Sequence, residues 1–262
     1  MSDEPVIFTR SGPVAQITLN RPAQGNAINM ELVRELEAVA LQCDTDESIR
    51  CVVLSGMGRL FCAGGDLSLF NDAGNQICSV LSQLAGTLHS AISHLARMQK
   101  PLLTLINGPA AGAGLSLALL GDVVLTARSA HFTCAYTGIG LTPDGGMTWM
   151  LPRLVGVRRA QEMLLTNRRV EAGEAQRIGL VTRVVDDESL AAEGAKLAST
   201  LSQSATRALG ATRSLILEGL DSSFEAQLAR EARAIAAAGK RGESVEGISA
   251  LVSKRPPNFS GA

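Results

Sequence analysis

The order of apolar and polar positions predicts strands that alternate with helices along most of the chain. Two short strands open it, VIFTR at 6–10 and VAQITLN at 14–20, and residues 30–42 follow with apolar side chains at helical spacing. CVVLSG at 51–56 and LLTLI at 102–106 are apolar runs typical of buried strands. Strands that alternate with helices indicate an α/β core.

The later part of the chain has a different pattern. An amphipathic helix is predicted at 79–98, and further strands at 121–127 and 178–185. Beyond about residue 188 the strand signal disappears, and helices are predicted at 188–202, 204–219, 222–239 and 243–254. A helical tail of this kind, rich in Ala, either packs back on the core or joins subunits.

Composition narrows the class of protein. Hydrophobic residues make up 46% of the 262 residues but aromatic residues only 3%, so aliphatic side chains must build the core. The 24 Lys and Arg nearly balance the 25 Asp and Glu. This excludes a disordered chain and gives no global field for nucleic acid or an anionic membrane.

Cysteines and uncharged segments indicate a cytoplasmic protein without a membrane span. The five Cys form no CxxC pair, which argues against a disulfide framework or structural zinc and fits a reducing cytoplasm. The first ten residues are acidic and lack the apolar region of a signal peptide. Residues 101–121 carry no charge, but Asn107, Gly108 and Pro109 interrupt them.

Three glycine-rich turns are the first candidates for chemistry: CAGGD at 62–66, NGPAAGAG at 107–114 and PDGG at 143–146. The simplest interpretation is a set of turns that need positive φ. A helix that starts near Ala113 would also leave backbone N–H groups unpaired. If such a donor met one from CAGGD, the two could form an oxyanion hole.

Other motifs fail on inspection. The glycine run lacks the third glycine of a dinucleotide fingerprint, and the chain has no GxxxxGK[ST] phosphate loop. GLSLA around Ser116 is one residue short of a serine-hydrolase elbow, and His131 is the single histidine after it.

Several segments together resemble the crotonase family, the enoyl-CoA hydratase/isomerases. The order of motifs covers essentially the whole chain and is highly specific for the superfamily, but much less so for the reaction. The segments are LNRPAQGNAINMEL (19–32), FCAGGDL (61–67), NGPAAGAGLSLALLGD (107–122), the run 132–156 and LVSKRPPNF (251–259).

The resemblance implies an α/β fold with two parts. Residues 1–200 would form a ββα spiral that binds acyl-CoA, and residues 201–262 a helical region that assembles a homotrimer or a dimer of trimers. It also implies a coenzyme A thioester as the substrate, with no metal or redox cofactor.

The resemblance also assigns roles to single residues. The backbone N–H groups of Gly65 and Ala113 would hold the thioester oxygen. Ala63 and Asp66 would lie near the adenine, by analogy with the family alone. Phosphate contacts, for which a solvated surface charge is an equal alternative, are expected at Arg21, Lys254 and Arg255.

The chain departs from the hydratase pattern at two positions. The glutamates that handle water in hydratases fall on Ser116 and Tyr136, and neither is a carboxylate. The remaining acid is Asp144, whose placement resembles ring-epoxide isomerases of the phenylacetate pathway and some enoyl-CoA isomerases. This favours an acyl-CoA isomerase in which Asp144 moves the proton, although Asp144 could also be a turn or N-cap residue before a helix at 146–152.

Three other functions stay open from the sequence. One is hydration. Another is aryl-CoA dehalogenation, because His89, Tyr136 and Asp144 line up with the His, Trp and Asp of 4-chlorobenzoyl-CoA dehalogenase. His89 lies on the predicted helix 79–98, where a structural histidine is the more frequent alternative. The last is an acyl-CoA-binding protein that has lost the chemistry.

Overall fold

A computed structural model describes residues 4–261 as strands and helices that alternate along the chain. The strands are β1 (Val6–Ser11), β2 (Val14–Leu19), β3 (Cys51–Gly56), β4 (Leu102–Ile106), β5 (Ala110–Ala111), β6 (Val123–Ala127), β7 (His131–Thr133), β8 (Val170–Glu171) and β9 (Arg183–Val185). The helices are α1 (Met30–Thr45), α2 (Leu67–Ala73), α3 (Ile77–Arg97), α4 (Ala113–Ala118), α5 (Met147–Val155), α6 (Val157–Thr166), α7 (Ala172–Arg177), α8 (Leu190–Gln203), α9 (Thr206–Gly219), α10 (Phe224–Ala238) and α11 (Gly242–Val252).

Two sheets organise these strands. The larger has the order β1-β2-β3-β4-β6-β9, and the smaller has the order β5-β7-β8. In the larger sheet only β1 and β2 pair antiparallel, and each later neighbour is parallel. The parallel strands therefore end at the same edge, where the glycine-rich turns begin.

Both faces of the larger sheet are buried, which explains the uninterrupted apolar runs. Leu54 and Ile106 belong to the main core cluster, which also contains the inward faces of α1 and α3. Val53 and Leu105 point the other way and pack with Leu190 of α8 in a second cluster. Alternate residues of one strand thus serve two cores.

Most predicted elements are confirmed. The strand predicted at 178–185 is wrong in extent, since β9 covers Arg183–Val185 alone. Gly179 has φ +80 and begins a turn, in which the Leu180 N–H donates to Ala175 O at 2.8 Å. Helix α2 forms where the apolar pattern predicts no element, whereas α8 and α9 agree closely with the helices predicted at 188–202 and 204–219.

Arg213 fastens the C-terminal helices to the core. Its side chain, on α9, donates to Asp122 Oδ1 at 2.6 Å and to the carbonyl oxygens of Met98 and Lys100, each at 2.6 Å. It also reaches Leu95 O at 3.1 Å and is only 8% exposed. Carbonyl groups in the last turn of α3 and just after it are therefore paired by a cation from another segment.

We expect Arg213→Leu to lower the free energy of unfolding by about 3 kcal/mol, because it leaves buried acceptors and Asp122 without their partner. Denaturant unfolding followed by circular dichroism measures the change. Arg207→Leu, at an exposed position on the same helix, is the matched control. We expect it to change stability by less than about 0.5 kcal/mol, and equal effects of the two changes would contradict the role of Arg213.

Among residues 4–261, no helix combines the length and the apolar character that a membrane crossing requires.

Candidate active site

The glycine-rich turns converge beside the carboxyl ends of the parallel strands. The Ala111 N–H donates to Cys62 O at 3.0 Å, which joins the first two turns. Gly64 has φ +96, and a Cβ there would lie 2.8 Å from Ala111 O, so the two backbones touch. In the third turn a Cβ on Gly145 would lie 2.7 Å from Ser116 Cβ, so this turn packs against α4.

Asn26 fixes the first of these turns in place. It is fully buried and has φ +57, and its amide group donates to the carbonyl oxygens of Met57, Leu60 and Phe61 at 2.9–3.0 Å. Its Oδ1 accepts from the Arg21 N–H at 2.8 Å. One side chain therefore orders the strand end that leads into the CAGGD turn.

The N–H groups of Gly65 and Ala113 are among the backbone donors in the turns that have no acceptor in the described residues. The neighbouring N–H groups are paired, Asp66 N with Ile28 O at 3.0 Å and Gly112 N with Thr133 O at 3.1 Å. The N–H groups of Gly65 and Ala113 donate to no protein acceptor in this part of the chain. Position 65 needs glycine because a Cβ there would lie 2.5 Å from the Phe70 ring. The predicted pair of free donors is thus present at one cavity.

That cavity has a volume of about 250 Å³. Its walls come from the three turns, from α2 and α3, and from the segment between β7 and α5. The residues that line it are Ile28, Ala63, Gly64, Gly65, Leu67, Phe70, Leu81, Leu84, Ala85, Leu88, Gly112, Ala113, Ala135, Tyr136, Ile139, Leu141, Thr142 and Asp144. Asp144 is the one carboxylate in this set.

A network of hydrogen bonds holds Asp144. The Tyr136 hydroxyl donates to Asp144 Oδ1 at 2.7 Å, and the Ser116 hydroxyl donates to the Asp144 carbonyl oxygen at 3.0 Å. The two hydroxyl oxygens are 3.2 Å apart. On the other side of the turn, the Gly145 N–H donates to His89 Nε2 at 3.0 Å. The carboxylate, the carbonyl group and the next N–H group are each held by a different side chain.

Tyr136 acts in this network as a neutral donor. Burial, together with the nearby Asp144 carboxylate, raises the pKa of the phenol well above its usual range. The phenol therefore keeps its proton at any pH at which the protein would be assayed, and it supplies no second base to the cavity.

The other predicted site residues lie at varying distances from the cavity. Ala63 lines it. Asp66 is the N-cap of α2, accepts from the Ser68 N–H at 3.2 Å, and pairs with Arg21 at 3.1 Å. At the end of α11, Arg255 makes a two-pronged pair with Glu246, and Lys254 is exposed. Ser116 and His89 do not line the cavity, but both form hydrogen bonds with the backbone of the turn that carries Asp144.

One alternative for this region is wrong. Asp144 does not cap the following helix, since the N-cap of α5 is Gly146, in the left-handed region. Trp149 of α5 is not part of the cavity wall. It lies outside the lining, stacked with Arg153 at 4.2 Å from the ring centroid.

Sequence reasoning missed the wall that α3 contributes. The sequence predicts an amphipathic helix at 79–98, but it does not show that Leu81, Leu84 and Leu88 of that helix line the cavity. Spacing alone could not separate core from lining, because both require the same apolar stripe.

In the described part of the chain, no group of three or more His, Cys, Asp or Glu could hold a metal ion.

The family model named enoyl-CoA hydratase/isomerase matches residues 9–262. The chain is 38% identical over 249 residues to a 1,2-epoxyphenylacetyl-CoA isomerase of Escherichia coli K12, covering 95% of each sequence. It is 37% identical to a 2,3-dehydroadipyl-CoA hydratase of the same organism, covering 98% of each. The crystal structure of an enoyl-CoA hydratase from Polaromonas sp. JS666 superposes with a TM-score of 0.92 at 32% identity, covering 97% of this chain and 98% of that one.

The family match and the fold together define the class of this protein as an enzyme family named for enoyl-CoA thioesters. The chain belongs to the enoyl-CoA hydratase/isomerase family, and its crotonase-like α/β fold is confirmed.

Proposed function

We propose that this protein is an acyl-CoA isomerase in which Asp144 is the base. Asp144 takes a proton from C2 of an unsaturated thioester and returns it further along the acyl group. The enolate oxygen that forms is held by the N–H groups of Gly65 and Ala113. The observation that carries this proposal is a cavity with two unpaired backbone donors and a single carboxylate.

The specific reaction is either Δ3-to-Δ2 enoyl-CoA isomerisation or the related isomerisation of a ring epoxide. The likeness to a protein named 1,2-epoxyphenylacetyl-CoA isomerase supports this choice. Proton transfer of this kind needs only a base and the oxyanion donors, so we propose that no metal or redox cofactor participates.

The alternatives have less support from the geometry. Hydration by paired carboxylates lacks both of its usual acids, because Ser116 and Tyr136 stand at the two positions. Dehalogenation needs a histidine that activates water in the cavity, whereas His89 Nε2 accepts from the Gly145 N–H and its ring is outside the lining. A non-catalytic acyl-CoA-binding protein would have no need for a held carboxylate beside two free donors.

We also propose that the C-terminal helices assemble a homotrimer or a dimer of trimers in the cytoplasm. Large apolar side chains on α10 and α11 are highly exposed, among them Phe224, Ile235, Leu251 and Val252 at 72–80%. Sedimentation tests this, and a monomer would contradict it. The predicted contacts with coenzyme A remain Arg21, Ala63, Asp66, Lys254 and Arg255.

Tyr136 is proposed as the residue that positions the base. We expect Tyr136→Phe to lower kcat by about 10-fold, because Asp144 Oδ1 loses a charge-assisted hydrogen bond, with little change in KM. Steady-state kinetics with the preferred thioester measure both constants. Thr137→Val is the matched control, because it removes a hydroxyl group at an exposed position beside Tyr136. A rise in KM with kcat unchanged would contradict the assigned role.

The proposed function is tested with the unmodified protein. Incubated in deuterium oxide with a panel of enoyl-CoA, aryl-CoA and ring-epoxide thioesters, it should exchange deuterium into the acyl group and isomerise at least one substrate. Binding of these thioesters without exchange, isomerisation, hydration or halide release would overturn the isomerase proposal and favour a binding protein.

A further inference from the structure

The cavity that holds the two donors and Asp144 also has a long apolar wall. Leu84 and Leu88 of α3 are 5% and 1% exposed, and Leu81 and Ala85 continue the same face. From α2, Phe70 closes the side next to Gly65. A thioester oxygen bound between the donors would therefore direct its acyl group along aliphatic and aromatic surface.

Charge is distributed unevenly around this cavity. None of the described lining residues is a Lys, Arg or His, and the ionisable ones are Asp144 and Tyr136. The Tyr136 hydroxyl is already bonded to Asp144, and Thr142 is the one further polar side chain. An acyl group with a terminal carboxylate would thus enter a site without a cation, beside an existing negative charge.

We propose that this site selects uncharged acyl groups and discriminates against acyl groups that end in a carboxylate. The proposal concerns the same cavity as the proposed function and rests on acyl-CoA binding there. A carboxylate that enters this cavity without a partner loses its hydration, and nothing in the cavity lining offsets that free-energy cost. Membership of the family does not by itself imply this discrimination. One relative carries the name 2,3-dehydroadipyl-CoA hydratase, and an adipyl group ends in a carboxylate.

The volume agrees with a compact acyl group. A ligand site usually encloses about 300–1,000 Å³, and this cavity, at about 250 Å³, is slightly smaller than that range. Six-carbon chains and single rings are the appropriate size. Six-carbon thioesters therefore make the sharpest comparison, because a hexanoyl and an adipyl group have the same number of carbons and differ only in the terminal group, a methyl in one and a carboxylate in the other.

Titration calorimetry with hexanoyl-CoA and adipyl-CoA tests the proposal on the full-length protein. Both thioesters are saturated, so neither can isomerise, and the measurement reports binding independently of catalysis. We expect hexanoyl-CoA to bind about 100-fold more tightly than adipyl-CoA, with coenzyme A alone as the reference for the shared part of the ligand. Affinities within about threefold of each other, or tighter binding of adipyl-CoA, would overturn the proposal.

A cation added to the apolar wall should reduce the discrimination. Leu81 is half-buried and lines the cavity on the same face as Leu84, so Leu81→Lys places an ammonium group there at little risk to the core. We expect the hexanoyl-to-adipyl preference to fall at least about tenfold. Ser82→Lys, exposed on the same helix and outside the lining, is the matched control and should leave the preference unchanged. An equal fall in both variants would show that net charge, not the cavity wall, sets the preference, and would overturn the proposal.

The two proposals fail separately. If the protein catalyses no exchange or isomerisation but prefers hexanoyl-CoA as expected, the proposed function is wrong and the inference about the acyl group stands. If isomerisation occurs while hexanoyl-CoA and adipyl-CoA bind equally, the proposed function stands and the inference about the acyl group is wrong.

Discussion

Asp144→Asn is expected to lower kcat by about 1000-fold and to leave KM nearly unchanged. A positioned general base contributes about 100- to 10,000-fold, and the amide cannot accept a proton from carbon. The substitution keeps the size of the side chain, and its oxygen can still accept from the Tyr136 hydroxyl, so the turn should keep its shape. Steady-state kinetics and deuterium exchange at C2 measure the loss, and both should fall together.

Asp72→Asn is the matched control for this change. Asp72 is an exposed carboxylate on α2, outside the cavity lining, and we expect its substitution to leave kcat as it is. If Asp144→Asn keeps more than about a tenth of the wild-type kcat, then Asp144 is not the base. Loss of binding to hexanoyl-CoA in that variant would instead assign Asp144 a structural role.

The period of the apolar residues made the main elements predictable, while the turns between them were not. Leu54 and Ile106 lie in uninterrupted apolar runs because both faces of the larger sheet are covered. The same rule failed at 178–185, where an apolar run is consistent with a turn as well as a strand. Gly179 adopts a positive φ that favours the turn over the strand, and this backbone conformation becomes apparent only in the folded protein.

The two backbone donors of the candidate site could be predicted from the sequence, but the hydrogen bonds that hold the Asp144 base could not. Gly65 and Ala113 follow from motif order, because backbone donors need only the right turns. The contacts of Asp144 depend on distances between segments far apart in sequence. Ser116 is 28 positions away from Asp144 and His89 is 56 from Gly145. No local pattern reports such distances.

These contacts make the Asp144 turn a preorganised unit. Ser116 comes from α4, His89 from α3 and Tyr136 from the segment after β7, so three elements fix one short turn. A base held in this way needs little reorganisation when the substrate binds. The two residues found where a hydratase would keep its acids thus serve a single carboxylate.

The second large effect is expected at the oxyanion donors, and Ala113 allows a clean test. Ala113 is the first residue of α4, where the backbone N–H has no partner within the helix. Proline is well tolerated at this first position, so Ala113→Pro should remove the donor and fill the space in front of it while α4 stays folded. We expect the rate to fall about 100- to 1000-fold, as for the loss of one oxyanion donor in other enzymes.

Ala113→Gly separates loss of the donor from loss of the side chain, because glycine keeps the N–H and removes only a methyl group. We expect its kcat to stay within about tenfold of the wild type, since the donor that holds the enolate is retained. Thermal unfolding of both variants, read beside deuterium exchange at C2, shows whether α4 is intact. A folded Ala113→Pro protein that isomerises as fast as Ala113→Gly would mean that the enolate oxygen is held elsewhere, because proline leaves no proton at that position to donate.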